Sequence, residues 1–272
     1  TPRPVVKLRI LASRTFASAL ALGTVLGFVV FATLFLLPLY MQDLLHWSAL
    51  QTGLTLMPRA LVMLVAFPVV GALYNRFSPR LFIGVGLALG GYSAFLMSRF
   101  TLQTGTVEIL VPQILQGVGL ACILTPLSTL ALASVPRERM AEAAGLNNLS
   151  RQLGGSLGVA VFATLLGRFA TQNRAALVHR VLAGDGGLRA RLANVASYFW
   201  VRGAPSSVAT ARSLRRLDGN FDQQAMILAF EHAFEWACLL FLVSLPVLLL
   251  LRVPQAQAPS GGPLKKMEVG KK

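Results

Sequence analysis

Residues 154–158 read GGSLG and satisfy G-x-S-x-G, the pattern that places a serine nucleophile on a strained strand-to-helix turn. That chemistry would make Ser156 an acyl-transfer centre, and it needs a histidine within hydrogen-bond reach. The histidines are His46, His179 and His232. The flanks of the motif, AAGLNNLSRQ and VAVFATLL, read as a helix start and an apolar helix, and they offer no strand to build the elbow. Gly154 and Gly158 stand four apart, the spacing of a small-residue face through which two helices touch, and Gly155 widens that face. The motif is therefore read as helix packing, with an intramembrane serine protease as the alternative it leaves open.

Other polar groups stand inside apolar runs. In PRALVMLVAFP, Arg59 follows Pro58 near one end of its run, with Pro68 further along. An arginine there either snorkels to the headgroups or faces an interior cavity. In PQILQGVGLACILTPLSTL, Gln113 and Gln116 are three apart and share a helix face, with Thr125 and Ser128 further along. They serve either as interhelical hydrogen-bond partners or as the lining of a solute path. FEHAFEW puts Glu231 and Glu235 on one face beside His232, a set that could relay protons but that precedes the apolar part of its run. Cys122 and Cys238 are isolated in apolar runs, so neither a disulfide framework nor a metal site is expected. GVGLALG, residues 84–90, is read as another packing face, and no P-loop occurs. No cofactor is expected.

Elements that can hold such groups follow from composition. The 272 residues are 55% hydrophobic and 13% charged, about half the charge of a soluble domain. Lipid is the solvent this implies. About 20 apolar residues cross a bilayer as a helix. Runs near that length lie at about 16–40, 53–74, 81–98, 109–134, 152–167 and 229–251. The expected fold is an all-α membrane protein with six transmembrane helices. Residues 1–15 form a lead-in, 16–167 hold five spans, 168–228 form a long loop, 229–251 is the sixth span and 252–272 a basic tail. The opening residue Thr1 suggests a chain cut from a longer one.

The net charge of +15 would point to nucleic acid in a soluble protein, but here the basic residues sit between apolar runs. They are read as topology signals, and no nucleic-acid partner is expected. Arg3, Lys7, Arg9 and Arg14 precede the first run; Arg76 and Arg80 lie between the second and third; Arg137, Arg139 and Arg151 lie between the fourth and fifth; Arg252, Lys265, Lys266, Lys271 and Lys272 follow the sixth. By the positive-inside rule both termini are cytoplasmic. The arginine-rich segment 168–228 then falls outside, long enough to weaken the rule. Its apolar residues at helical spacing suggest amphipathic helices on the outer membrane surface, or a docking surface.

GALYNRFSPR, Gly71 to Arg80, resembles the cytoplasmic hairpin signature of the major facilitator superfamily, G-x-L-x-D-R-x-G-R-R/K. Gly71, Leu73, Arg76 and Arg80 match; Asn75 replaces the acidic residue, and Ser78 and Pro79 depart from the pattern. LFLLPLYMQDLLHWSALQTGLTLMPRA, PQILQGVGLACILTPLSTLA and AAGLNNLSRQLGGSLGVAV are similar to the drug:proton antiporter branch of EmrB/QacA type. The resemblance implies the C-terminal six-helix half of such a transporter, built as a 3+3 inverted repeat. It implies that the first, second, fourth and fifth spans face the pathway, and that a gating hairpin includes Gly71, Asn75, Arg76 and Arg80. Pathway candidates are then Met57, Arg59, Met63, Phe67, Gln113, Gln116 and Thr125. The implied whole is a multidrug efflux antiporter of the inner membrane, conferring drug resistance by exporting amphipathic or cationic compounds by alternating access. Its implied partners are lipid, protons, small-molecule drugs, an N-terminal half of six to eight helices and, in two-membrane bacteria, a periplasmic adaptor. A stand-alone six-helix protein that acts by oligomerisation is the alternative.

Overall fold

A computed structural model describes residues 14–74, 76–133, 135, 139–182 and 206–250. They form six α-helices: α1 (Arg14–Asp43), α2 (Ala49–Leu73), α3 (Pro79–Met97), α4 (Thr106–Ala133), α5 (Met140–Leu182) and α6 (Ser206–Leu250). All six contain a stretch long and apolar enough to cross a membrane. The protein is therefore an all-α, multi-pass membrane protein.

Local chemistry sets the turns between spans. The α1 end closes with Trp47 N–H donating to the Met41 carbonyl at 3.0 Å, the wrap-around bond of a helix terminus whose last residue turns left-handed. His46 takes that conformation, with φ 53°. Ser48 and Gln51 then form a reciprocal capping box, with Gln51 N–H on Ser48 Oγ at 3.2 Å and Ser48 N–H on Gln51 Oε1 at 3.0 Å. Pro79 opens α3, where its missing N–H costs nothing.

Two expectations change at the element scale. The fifth and sixth spans are longer than their apolar runs. α5 starts at Met140, well before residue 152, and both helices continue into the 168–228 stretch. Its described parts are extensions of α5 and α6 rather than separate helices. Arg174 Nε pairs with Asp222 Oδ1 at 2.7 Å across the two extensions, and Asn173 reaches the Ala225 carbonyl at 3.5 Å. Residues 183–205, the lead-in up to residue 13 and the tail from residue 251 lie outside the described residues.

Most helix pairs map onto one another when the first three helices are exchanged for the last three; the exception is α5 and α6, which pack together while α2 and α3 barely touch. α1 lies along α5 and α2 along α4; α3 meets α4 and α6 meets α1; α3 and α6 pair with each other. This is the pairing expected of two three-helix repeats related by a two-fold axis in the membrane plane. Close approach is set by small residues. A Cβ on Gly154 would run into the Thr24 carbonyl, one on Gly158 into the Phe28 carbonyl, and one on Gly27 into the Arg151 carbonyl. On the other flank Gly86 faces the Gly119 carbonyl, which a Cβ would approach to 2.6 Å. At one end of the bundle, Tyr40, Phe100, Phe230 and Phe234 join in edge, tilted and stacked ring contacts at 5.5–6.4 Å. Tyr40 Oη donates to the Thr101 carbonyl at 2.7 Å, satisfying the buried hydroxyl.

Candidate functional site

Between α1, α2, α4 and α5 lies a cavity of about 250 Å³. α1 contributes Leu26, Gly27, Val30, Phe31 and Leu34; α2 contributes Arg59 and Met63; α4 contributes Leu120, Ile123 and Leu124; α5 contributes Arg151. On α1 these positions recur at three and four residues, one helical face.

Arg59 is the eleventh residue of α2, about 15 Å along the helix from its start. That is a mid-span position, too deep for the end-of-run placement the sequence suggests. Arg59 Nη1 donates to Gln116 Oε1 on α4 at 3.3 Å. Gln116 is 2% exposed, and its Nε2 has no partner among the described residues. One turn away Gln113, fully buried, donates from Nε2 to the Thr55 carbonyl at 3.4 Å. Pro58 has no N–H, so the ladder bond to the Leu54 carbonyl, one residue before that acceptor, is missing. On the other face of α4, Ser93 Oγ donates to the Pro112 carbonyl at 2.8 Å. Side chains of neighbouring helices thus satisfy backbone near two of the prolines, as lipid cannot.

Of the pathway candidates, Arg59 and Met63 line the cavity and Gln116 holds Arg59. Gln113 ties α2 to α4 behind it. Thr125 follows the lining residue Leu124, and its Oγ1 is buried without a partner among the described residues. Met57 and Phe67 are not in the lining; they are exposed on α2, 54% and 36% respectively. In the hairpin, Gly71, Arg76 and Arg80 are exposed, and Asn75 lies outside the described residues.

Arg151 was missed as a site residue because it was counted among the charges between two spans. Since α5 begins at Met140, Arg151 lies three turns into a helix. Its Nη2 donates to Asn148 Oδ1 at 3.0 Å. A signal was available: Asn147, Arg151, Gly154 and Gly158 fall on one face at helical spacing, which joins the arginine to the glycine seam. At that seam Thr24 Oγ1 and Ser150 Oγ are 2.6 Å apart.

The remaining chemistry-bearing groups stand apart. Ser156 is exposed within α5 and donates to the Leu153 carbonyl of its own helix at 3.0 Å, with neither elbow nor histidine beside it. His232 Nδ1 is 3.3 Å from Glu235 Oε2 on the exposed side of α6, and its ring meets Phe169 at 5.6 Å.

The Major Facilitator Superfamily family model matches residues 1–159. The chain is 32% identical to a multidrug resistance protein B homolog of Mycobacterium tuberculosis over 61% of its own length and 31% of the relative's. It is 30% identical to the multidrug export protein EmrB of Haemophilus influenzae, over 66% of this chain and 34% of the relative. It is 28% identical to the fatty acid resistance protein FarB of Neisseria gonorrhoeae, over 92% of this chain and 48% of the relative. The chain spans about half the length, or less, of these curated relatives.

Proposed function

We infer, because the chain belongs to the Major Facilitator Superfamily in its EmrB-type branch, that it forms the C-terminal half of a multidrug efflux transporter. The observation that carries this reading is the cavity between α1, α2, α4 and α5. It holds an arginine at mid-span depth, where an ionisable group is costly and marks a solute or ion path. The absent N-terminal half would close the cavity's open side. Exposed apolar residues on α2 and α5, among them Leu54, Leu61, Leu153 and Leu157, support such a covering. The names of relatives support drugs as cargo; on this reading the cargo is amphipathic or cationic and leaves in exchange for protons by alternating access. The ends of the bundle that carry Arg76, Arg80 and Arg139 would face the cytoplasm, placing the chain in the inner membrane with both termini inside.

Two measurements test this. An antibody against the tail QAPSGGPLKKMEVGKK should detect, in native membranes, a band near twice the chain's 29.2 kDa. A band at 29.2 kDa would instead favour a separate half-length protein that works by oligomerising. In an efflux-deficient host, the whole protein should raise resistance to amphipathic compounds. In energised everted vesicles, adding such a compound should discharge part of the pH gradient; an unchanged gradient would remove proton coupling from the reading.

A further inference from the structure

The contact between α2 and α4 is polar along one line, and three of its buried polar atoms have no partner among the described residues: Thr52 Oγ1, Gln113 Oε1 and Gln116 Nε2. Each glutamine amide is oriented by the partner it does have. Gln113 gives its Nε2 to the Thr55 carbonyl at 3.4 Å, and Gln116 takes Arg59 Nη1 on its Oε1 at 3.3 Å. A backbone carbonyl only accepts and a guanidinium only donates, so neither amide can be turned over without losing its bond. The leftover atoms are therefore of opposite kind, Gln113 Oε1 an acceptor and Gln116 Nε2 a donor. Gln113, Gln116 and Thr52 are 0%, 2% and 3% exposed, so the helices of this chain already close the seam around them.

Spacing decides what can satisfy these atoms. Gln113 and Gln116 stand three apart on α4, a separation of about 5–6 Å between Cβ atoms. Their free ends are complementary, yet they do not bond each other. A single water spans two groups at such a separation, accepting from the Gln116 amide and donating to the Gln113 oxygen. Thr52 precedes Thr55 by three residues on α2, so it lies on the same face, one turn nearer the start of the helix. Its hydroxyl can both donate and accept, which suits a second water bonded to the first. Buried polar groups are almost always satisfied by protein or by ordered water. A bridging water is enthalpically close to a direct bond, whereas a bare buried donor or acceptor carries its full desolvation penalty.

We propose that the α2–α4 seam is an internal hydration site: one ordered water bridges Gln116 Nε2 to Gln113 Oε1, and a second continues from it to Thr52 Oγ1. The water on Nε2 makes Gln116 a positioning residue, because it fixes the amide whose oxygen holds Arg59. It also joins α2 to α4 beside Pro58 and Pro112, through bonds that can lengthen without leaving an amide bare. The site stands on two helices of this chain and not on the transport reading; a protein that exported nothing would still hold water here.

The test is a cryo-EM map of the whole protein in nanodiscs, at a resolution that shows ordered water. Density should lie within hydrogen-bond distance of both Gln116 Nε2 and Gln113 Oε1, with a second peak at Thr52 Oγ1. A direct bond between the two amides, a seam without these peaks, or a side chain from elsewhere in the whole protein in their place would each overturn the proposal. Thr52→Val keeps the shape of the side chain and removes its hydroxyl. It should erase the second peak, keep the first and lower the thermal midpoint by about 2 °C, the scale of one lost hydrogen bond. An unchanged or raised midpoint would mean that the hydroxyl had no partner to lose, and would overturn the proposal as well. The map of the unaltered protein decides the matter even where the variant folds poorly.

Discussion

His46 holds φ at 53°, a left-handed backbone that costs a residue with a Cβ about 1 kcal/mol relative to glycine. His46→Gly should therefore raise the thermal midpoint of the purified whole protein; a lowered midpoint would mean that the ring's contact with Gln223, 3.4 Å away, outweighs backbone strain. Gln113→Ala strips the Thr55 carbonyl of its donor in a buried place and should cost about 1–3 kcal/mol, read as a lower midpoint. Gln113→Glu should cost more, since a carboxylate has no N–H to give that carbonyl. Some of this was legible in the residues. The paired glutamines, Pro58 and Arg59 announce a polar place in an apolar run. What could not be read was depth. Arg59 stands ten residues from the helix start, and the sequence alone did not say where α2 begins until the Ser48–Gln51 capping box is recognised as its first turn. Asn75 carries no structural account.

At the scale of the helix, contact distance decides what a substitution does. Gly154→Ala puts a methyl against the Thr24 carbonyl and should force α1 and α5 apart, at about 1–3 kcal/mol. Gly53→Ala, with nothing within 4 Å of its Cβ, should be neutral or stabilise α2 by up to about 1 kcal/mol. Thermal unfolding of the two variants side by side checks the seam; equal effects would dissolve it. Apolar runs place the first four helices to within a few residues. They fail for α5 because its first three turns, MAEAAGLNNLSRQ, are polar yet helical. Those turns meet α1 through Asn147, Ser150 and Arg151, and hydrogen bonding and charge at a helix contact look, in sequence, like a loop. α6 fails for the complementary reason: its N-terminal half is helical but not apolar, so hydropathy cannot mark its start.

For the whole molecule, the governing fact is that the chain spans half or less of the length of its relatives. α2 leaves Leu50, Leu54, Leu61, Leu64 and Val65 exposed, more than 50% each. This is a continuous face that lipid or another bundle must cover. If the missing half covers it, this chain expressed alone should aggregate or be degraded, and co-expression with the preceding half of its gene as a separate polypeptide should restore both abundance and resistance. Equal abundance with and without that half would argue for a self-sufficient unit. The two-fold pairing of helix triplets was not readable from residues, since neither triplet repeats the other's sequence visibly; only packing displays it.

The long N-terminal continuation of α6 adds a mechanical property. From Ser206 to Asp222, where Arg174 clamps it to α5, the helix runs about 24 Å beyond the level of the α1–α2 turn, without a break. A rigid rod of that length, rooted in a bundle helix, is a lever. Tilting its root by about 10° would swing its tip by about 4 Å for each 24 Å of arm, at the helical rise that sets the arm. Motion among the membrane helices would thus be magnified and delivered to whatever the tip touches, and a spin label near Ser206 would act as the needle of a gauge.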